Sequence, residues 1–291
     1  MLHDDKSEFL KVLERTAAQT GFPQALLEKD YYLTLALSKI TTLSKDLIFK
    51  GGTCLNKCHH SYYRLSEDLD FTMRLPKGAI TRKVRKTAIQ PVKTGLKSFT
   101  KALGMSVDTE NAGHRESSQY IYQLQYPSVL FKEPQSIKLE IGLRFNPLLP
   151  TEIKNIQHRF LHPFTKEPLF DGGKIPCLRL KELVAEKLRA AATRITIAPR
   201  DFYDLGYILK TGFEFKDSEL WRLFKAKLAE DECDTDLKKY RKNLGRTTEQ
   251  LDDMESRIEA ELLDVLTLEE RGKFNMADTL SALNRTFHNL E

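Results

Sequence analysis

The segment from Ile48 to Met73, IFKGGTCLNKCHHSYYRLSEDLDFTM, constrains the fold of this chain most. An apolar run over residues 46–50 stops at Gly51-Gly52, the pattern of a short buried strand. Residues 53–61 then read as a short helix starting at Thr53. In EDLDFTM the acids Asp68 and Asp70 alternate with Leu69 and Phe71, the period-two signature of a second strand. Residues two apart on a strand face the same side, with Cα atoms about 6.5–7 Å apart. Two carboxylates aimed into one space repel unless a cation stands between them.

The surrounding pattern supplies the rest of an α+β architecture. Residues 5–20 and 24–40 read as helices separated by Gly21-Phe22-Pro23. Residues 79–102 form a basic helix, with an interruption expected at Pro91. QYIYQLQY (119–126) and SIKLEIGLRF (136–145) alternate as strands, and shorter strands are expected near 152–158 and 175–179. LKELVAEKLRAAATR (180–194) is rich in strong helix formers, and Pro199 opens the next helix. About 80 mostly acidic, helical residues follow Thr211-Gly212. The expectation is a mixed sheet of about five strands flanked by helices, divided into residues 1–45, 46–212 and 213–291.

Charge is spread unevenly over the 291 residues. Residues 1–212 carry 33 Lys+Arg against 22 Asp+Glu, whereas residues 213–291 carry 13 against 19. From Phe71 to Val107 there are nine basic residues and no acid, and Arg82, Lys83, Arg85, Lys86, Lys93 and Lys97 are the candidate polyanion contacts. Such a block attracts polyanions such as nucleic acid or triphosphate. No apolar run of about 18 residues is present to span a membrane. The start MLHDDKSEFLK lacks an apolar signal core, so a cytoplasmic protein is expected. Cys54 and Cys58 stand four apart with His59 and His60 following, but no second ligand pair lies at a typical zinc spacing. The cysteines therefore read as reduced thiols.

The acids and glycines point to phosphate chemistry. Mg²⁺ takes hard oxygen ligands, commonly one or two carboxylates plus substrate phosphates, and Asp68 with Asp70 suits that role. Glycines let a backbone come close to phosphate, and helix N-terminal amides favour an anion, so Gly51-Gly52-Thr53 is a candidate phosphate turn. No G-x-x-x-x-G-K-[ST] string is present, which excludes a P-loop, and a dinucleotide fingerprint is missing too. Glu140 sits on a strand; it either completes the metal site and activates an attacking hydroxyl, or pairs on the solvent face with Lys138 or Arg144. Lys181, Lys187 and Arg189 are cations available to triphosphate. Asp201 and Asp204, three apart, share one helix face.

Five blocks occur in order: EKDYYLTLALSKI, IFKGGTCLNK, RLSEDLDF, ELVAEKLRA and PRDFYDL. Together they resemble the AbiEii/AbiGii-type nucleotidyltransferase toxins, within the polymerase-β-like nucleotidyltransferase superfamily, over roughly Glu28 to Lys210. The resemblance implies a minimal nucleotidyltransferase core with a small mixed sheet, N-terminal helices and a C-terminal helical domain. It also implies the toxin half of a toxin–antitoxin or phage-defence system, with an antitoxin partner. Nucleoside triphosphate is the implied substrate, Mg²⁺ or Mn²⁺ the cofactor, and the 3′ end of tRNA the implied acceptor, which turns the candidate polyanion contacts into RNA contacts.

Carried onto this sequence, the resemblance makes Asp68 and Asp70 the metal-binding acids, with Glu140 third by strand order. Gly51, Gly52, Thr53, Lys57 and Ser66 become the nucleotide-binding set, Thr53 standing where the superfamily usually has Ser. Lys187 takes the place of the nucleotide-binding lysine, and Asp201 or Asp204 that of the last catalytic acid. Two other readings stay open at this point: transfer of the nucleotide to a protein hydroxyl, and a non-catalytic module that binds nucleic acid or a partner.

Overall fold

The computed structural model describes residues 1–60, 62–108, 113–114 and 116–288. Its contacts divide the chain into two compact units, Met1–Leu178 and Arg179–Glu291. The division falls at Leu178 rather than at Gly212. The reason is packing: the helix after Arg179 buries its apolar face among the later helices.

The first unit opens with α1 (Lys6–Thr20), capped by Asp5 and stopped by Gly21 in the left-handed conformation. Helix α2 (Gln24–Lys39) follows and is buried along much of its length. Strand β1 (Leu47–Lys50) leads into α3 (Gly51–Cys54), which widens into a π turn over Leu55–His59 closed by His60 N–H to the Leu55 carbonyl at 3.0 Å. Strand β2 (Leu69–Met73) carries the second acid.

Helix α4 (Arg82–Ala102) runs through Pro91 without a break, contrary to the expected interruption. Pro91 and Thr87 are both exposed, so the carbonyl deprived of its amide partner turns to water. Ile89, Val92, Leu96 and Phe99 form the buried stripe of this helix.

Strands β3 (Ser106–Asp108), β4 (Gly113–His114), β5 (Gln119–Tyr126), β6 (Gln135–Gly142), β7 (Glu152–Asn155) and β8 (Lys174–Cys177) complete the sheet. Among the described residues it has eight strands in the order β3-β5-β6-β2-β1-β8-β7, with β4 beside β5. It is larger than the sheet of about five strands expected, in part because β3 and β4 are too short to show a sequence period. It is mixed: β1 runs antiparallel to β2 and parallel to β8, while β2 runs parallel to β6. Phe49, Phe71, Leu139 and Ile141 lie in its buried core.

The second unit is helical, as its composition predicted. Helices α5 (Leu180–Thr193), α6 (Pro199–Lys210) and α7 (Ser218–Glu230) come first, followed by α8 (Thr248–Ser256), α9 (Ile258–Glu261), α10 (Leu268–Lys273) and α11 (Met276–Phe287). Helix α5 packs on α6 and α7, and α11 packs on α6. A Cβ at Gly206 of α6 would come within 2.6 Å of Thr279 Cγ2, so the glycine permits that approach. Lys227 is buried in this unit among Glu182, Glu186 and Glu230 at 2.9–3.4 Å. Among the described residues no helix is long and apolar enough to cross a membrane.

Candidate active site

The sheet brings three carboxylates together on the first unit. In the parallel β2–β6 pair, Asp70 is directly opposite Glu140. Side chains opposite each other on neighbouring strands share a face. Asp68 stands one residue before β2, and Lys138 is two residues before Glu140 on β6. The Lys138 ammonium lies 3.6 Å from Asp68 Oδ2 and 3.3 Å from Glu140 Oε2, so one cation spans two of the acids. Gln119 on β5 donates to Glu140 Oε1 at 2.7 Å and fixes that carboxylate.

The electrostatics follow from this crowding. Burial pushes the Asp70 carboxyl up to about 6, the Glu140 and Asp68 carboxylates add to the rise, and Lys50 and Lys138 oppose it. Burial pulls the Lys138 ammonium down, but Asp68, Glu140 and Asp70 outweigh it and hold the group above its ordinary range. A buried carboxyl with two further carboxylates beside it suits a divalent cation, which would offset both the burial and the repulsion. The donor set is all hard oxygen, which fits Mg²⁺ or Mn²⁺.

The glycine turn lies against the same acids. Lys50, the last residue of β1, is opposite Asp70 in the antiparallel β1–β2 register. Gly51 follows in the left-handed region at φ +77°, and a Cβ there would collide with Asp70 Oδ2. Two independent constraints, backbone sign and space, therefore require glycine. Thr53 is fully buried, and its hydroxyl donates to the Asp68 carbonyl at 2.5 Å. That bond ties the turn to the acid-bearing arm.

Comparison with known proteins decides the family. The model of the nucleotidyl transferase AbiEii toxin family, type IV toxin–antitoxin system, matches residues 36–284. The chain belongs to the AbiEii family. Among solved structures, the nucleotidyltransferase toxin MenT4 from Mycobacterium tuberculosis is similar, with TM-score 0.60, 19% identity and coverage of 97% of this chain and 90% of that one. JHP933 from Helicobacter pylori aligns with TM-score 0.53 and 18% identity over 92% of this chain and 93% of that one. These likenesses establish a shared fold. No curated protein matches the sequence.

AbiEii membership makes the chain a nucleotidyltransferase toxin, with a nucleoside triphosphate substrate and an antitoxin partner. Several residues expected in its site take other places. Lys57, expected among the nucleotide-binding residues, is turned into the core: it is fully buried, paired to Asp30 Oδ1 at 2.7 Å and bonded to Thr34 at 2.8 Å and to Tyr62. Asp30 is completed by the Tyr62 hydroxyl at 2.8 Å. Thr53 points its hydroxyl at the backbone of Asp68 rather than outward, so any phosphate contact at this turn falls to main-chain amides. Gly52 and Ser66 are partly buried, Gly52 in the turn and Ser66 on the loop before Asp68.

The EKDYY block is explained as a scaffold for that loop. Lys29 pairs with Glu67 at 3.0 Å, and Asp30 holds Lys57 and Tyr62. Glu28 accepts from Ser128 Oγ and Val129 N–H, each at 2.6 Å.

In the second unit, Lys187 on α5 is clamped by Asp201 Oδ1 at 2.8 Å and Asp204 Oδ2 at 2.7 Å, both on α6. Arg194 adds a contact to Asp201 Oδ2 at 3.0 Å. Both aspartates are buried and act as holders of Lys187. Lys181 pairs with Asp217 and Glu219, and Arg189 with Asp231.

The basic residues of α4 fall into two groups. Arg82, Lys83 and Lys86, with Thr87 and Gln90, line an open groove of about 530 Å³. Arg85 turns back to the Ile80 carbonyl at 3.3 Å, Lys93 lies 5.3 Å from the Tyr120 ring centre, and Lys97 is exposed. Lys50 and Lys138, which flank the acids, went unassigned to the site because a lysine carries no motif. Lys138 alternating with Glu140 on one strand was the available signal.

Proposed function

We propose that this AbiEii toxin transfers a nucleoside monophosphate from a nucleoside triphosphate to RNA, with the 3′ end of tRNA as acceptor, and so blocks translation in the cytoplasm. The observation that carries the reading is the placement of Asp70 against Glu140, with Asp68 beside them and the glycine turn against Asp70.

Asp68, Asp70 and Glu140 would hold Mg²⁺ or Mn²⁺. When bound, the cation neutralises the triphosphate and the leaving pyrophosphate. Backbone amides of the turn after Gly51 would face the phosphates, as glycines and helix N-terminal N–H groups favour an anion. The acceptor hydroxyl oxygen attacks the α-phosphorus in line, the α–β phosphoanhydride bond breaks, and pyrophosphate departs. Glu140, fixed by Gln119, takes the hydroxyl proton. Lys138 offsets the repulsion between Asp68 and Glu140. Within the second unit, Asp201 and Asp204 fix the Lys187 ammonium. Such transfer rests mainly on positioning and electrostatics. The α4 groove supplies a sequence-independent grip on the RNA backbone.

The test is expression in a bacterial host followed by sequencing of RNA 3′ ends, beside incubation of labelled nucleotides with total RNA and total protein. New terminal nucleotides on tRNA, lost in Asp68→Ala and Asp70→Ala, are the expected result. Label in protein with unchanged RNA ends would move the acceptor to a protein hydroxyl. Full transfer by either variant would sink the mechanism.

A further inference from the structure

Directly after Thr53, on the side of β1 that meets β8, lies a second cluster that the transfer chemistry does not use. Cys54, His59 and Cys177 each offer one ligand atom, and these atoms lie within 4.8 Å of one another. Cys58 is close enough to hydrogen-bond with both Cys54 and Cys177. All three thiols are buried, Cys54 and Cys177 completely. The π turn explains the arrangement: a turn closed from residue i to i+5 stacks His59 over Cys54. The β1–β8 pairing then delivers Cys177, opposite Phe49, from a distant part of the chain.

The imidazole is already oriented. Its Nε2 lies 3.8 Å from Cys177 Sγ and 3.0 Å from the Leu178 carbonyl. Its Nδ1 lies 3.8 Å from Glu152 Oε1, and Glu152 is opposite Cys177 in the β7–β8 register. A metal-bound histidine commonly gives its other ring N–H to a carboxylate, which fixes tautomer and orientation. The separation of Nε2 and Cys177 Sγ is close to the edge of a tetrahedron built on zinc–sulfur and zinc–nitrogen bonds of about 2.3 and 2.0 Å.

We propose that Cys54, Cys58, Cys177 and His59 form a structural zinc site that pins the π turn, and through it the Gly51–Thr53 turn, to strand β8. Three thiolates and one imidazole close the coordination sphere, so the site is structural rather than catalytic. Binding releases three thiol protons to solvent. The His59 ring proton moves to Nδ1, where Glu152 accepts it, and Nε2 exchanges the Leu178 carbonyl for the metal. Soft sulfur donors separate this site from the all-oxygen acid cluster, so the two select different ions.

The full chain, prepared under reducing conditions without chelator or metal-affinity resin, should contain about one zinc per molecule by elemental analysis. Cys233→Ser should keep it, because Cys233 lies in the other unit. Cys177→Ser and His59→Ala should lower it well below stoichiometry. Should those variants fail to fold, the intact chain still decides: Co²⁺ added to metal-stripped, reduced protein should give tetrahedral ligand-field bands and a thiolate-to-metal charge-transfer band. Absence of those bands together with trace zinc overturns the site. A disulfide among Cys54, Cys58 and Cys177 in freshly isolated protein overturns it as well.

Discussion

Asp70 and Glu140 stand opposite each other on the parallel strands β2 and β6, and the burial of Asp70 beside Glu140 and Asp68 holds its carboxyl near 6. An aspartate raised this far above its unfolded value near 3.9 costs stability once ionised. Between these two values the unfolded chain has released the proton and the native chain keeps it, so stability falls as pH rises from about 4 to about 6. Asp70→Asn should therefore be more stable than the parent above pH 7, by about 1–2 kcal/mol. The gap should shrink as pH falls through 6 toward 4. Urea denaturation at pH 4.5 and 7.5 measures it, and a gap that does not change with pH would refute the electrostatic cause. The same variant should lose transfer activity by about 10²–10³-fold.

Gly51 and Gly78 make a matched pair. Both have positive φ, +77° and +109°, but only Gly51 has an atom in the way of a Cβ, Asp70 Oδ2. Gly78→Ala should show backbone strain alone, about 1 kcal/mol. Gly51→Ala should cost about 2–3 kcal/mol and also reduce nucleotide transfer, because the added methyl displaces a site carboxylate. Thermal unfolding and transfer rate measured on both variants test this. Equal effects on activity would contradict the steric argument.

Lys57 and Asp30 form a buried pair, and removing one partner strands the other. Lys57→Met should destabilise the fold by about 3–5 kcal/mol. Adding Asp30→Leu should recover a large part of that loss, since an apolar pair leaves no unpaired charge. Steady-state kinetics of the folded fraction should show an unchanged KM for the nucleotide. A raised KM with unchanged stability would return Lys57 to the nucleotide site.

The α4 groove predicts a salt signature. Replacing Arg82, Lys83 or Lys86 by Ser should weaken RNA binding alike for unrelated sequences. Each loss should reduce the slope of log affinity against log salt by about one. Arg85→Ser should change the slope less, because its guanidinium is turned to the Ile80 carbonyl. Filter binding across a salt series separates these outcomes.

The sequence by itself determined the elements. The alternation in 119–126 and around Asp68–Phe71, and the helix formers of 180–194, are local periods of two and 3.6 residues, and each produced the strand or helix it predicted. It also gave the acids, the glycine turn and the order of blocks that marks the family. Pro91 misled because the cost of a missing amide depends on whether the orphaned carbonyl reaches water. That exposure is a tertiary fact.

Tertiary structure alone decided which residues meet. Lys57 is four residues beyond Thr53, yet the π turn after α3 aims it into the core at Asp30. Lys138 and Glu140 alternate locally, but only the β2–β6 register sets them against Asp68 and Asp70. Cys54 and Cys58 were legible as a pair, and their third sulfur comes from β8, far along the chain. The division at Leu178 was hidden for the same reason, since α5 reads as a helix whichever unit receives it. Periodicity is written in neighbouring residues, because it follows from the geometry of one segment. Strand register and helix docking follow from burying the apolar faces of distant segments together, and no local pattern encodes that choice.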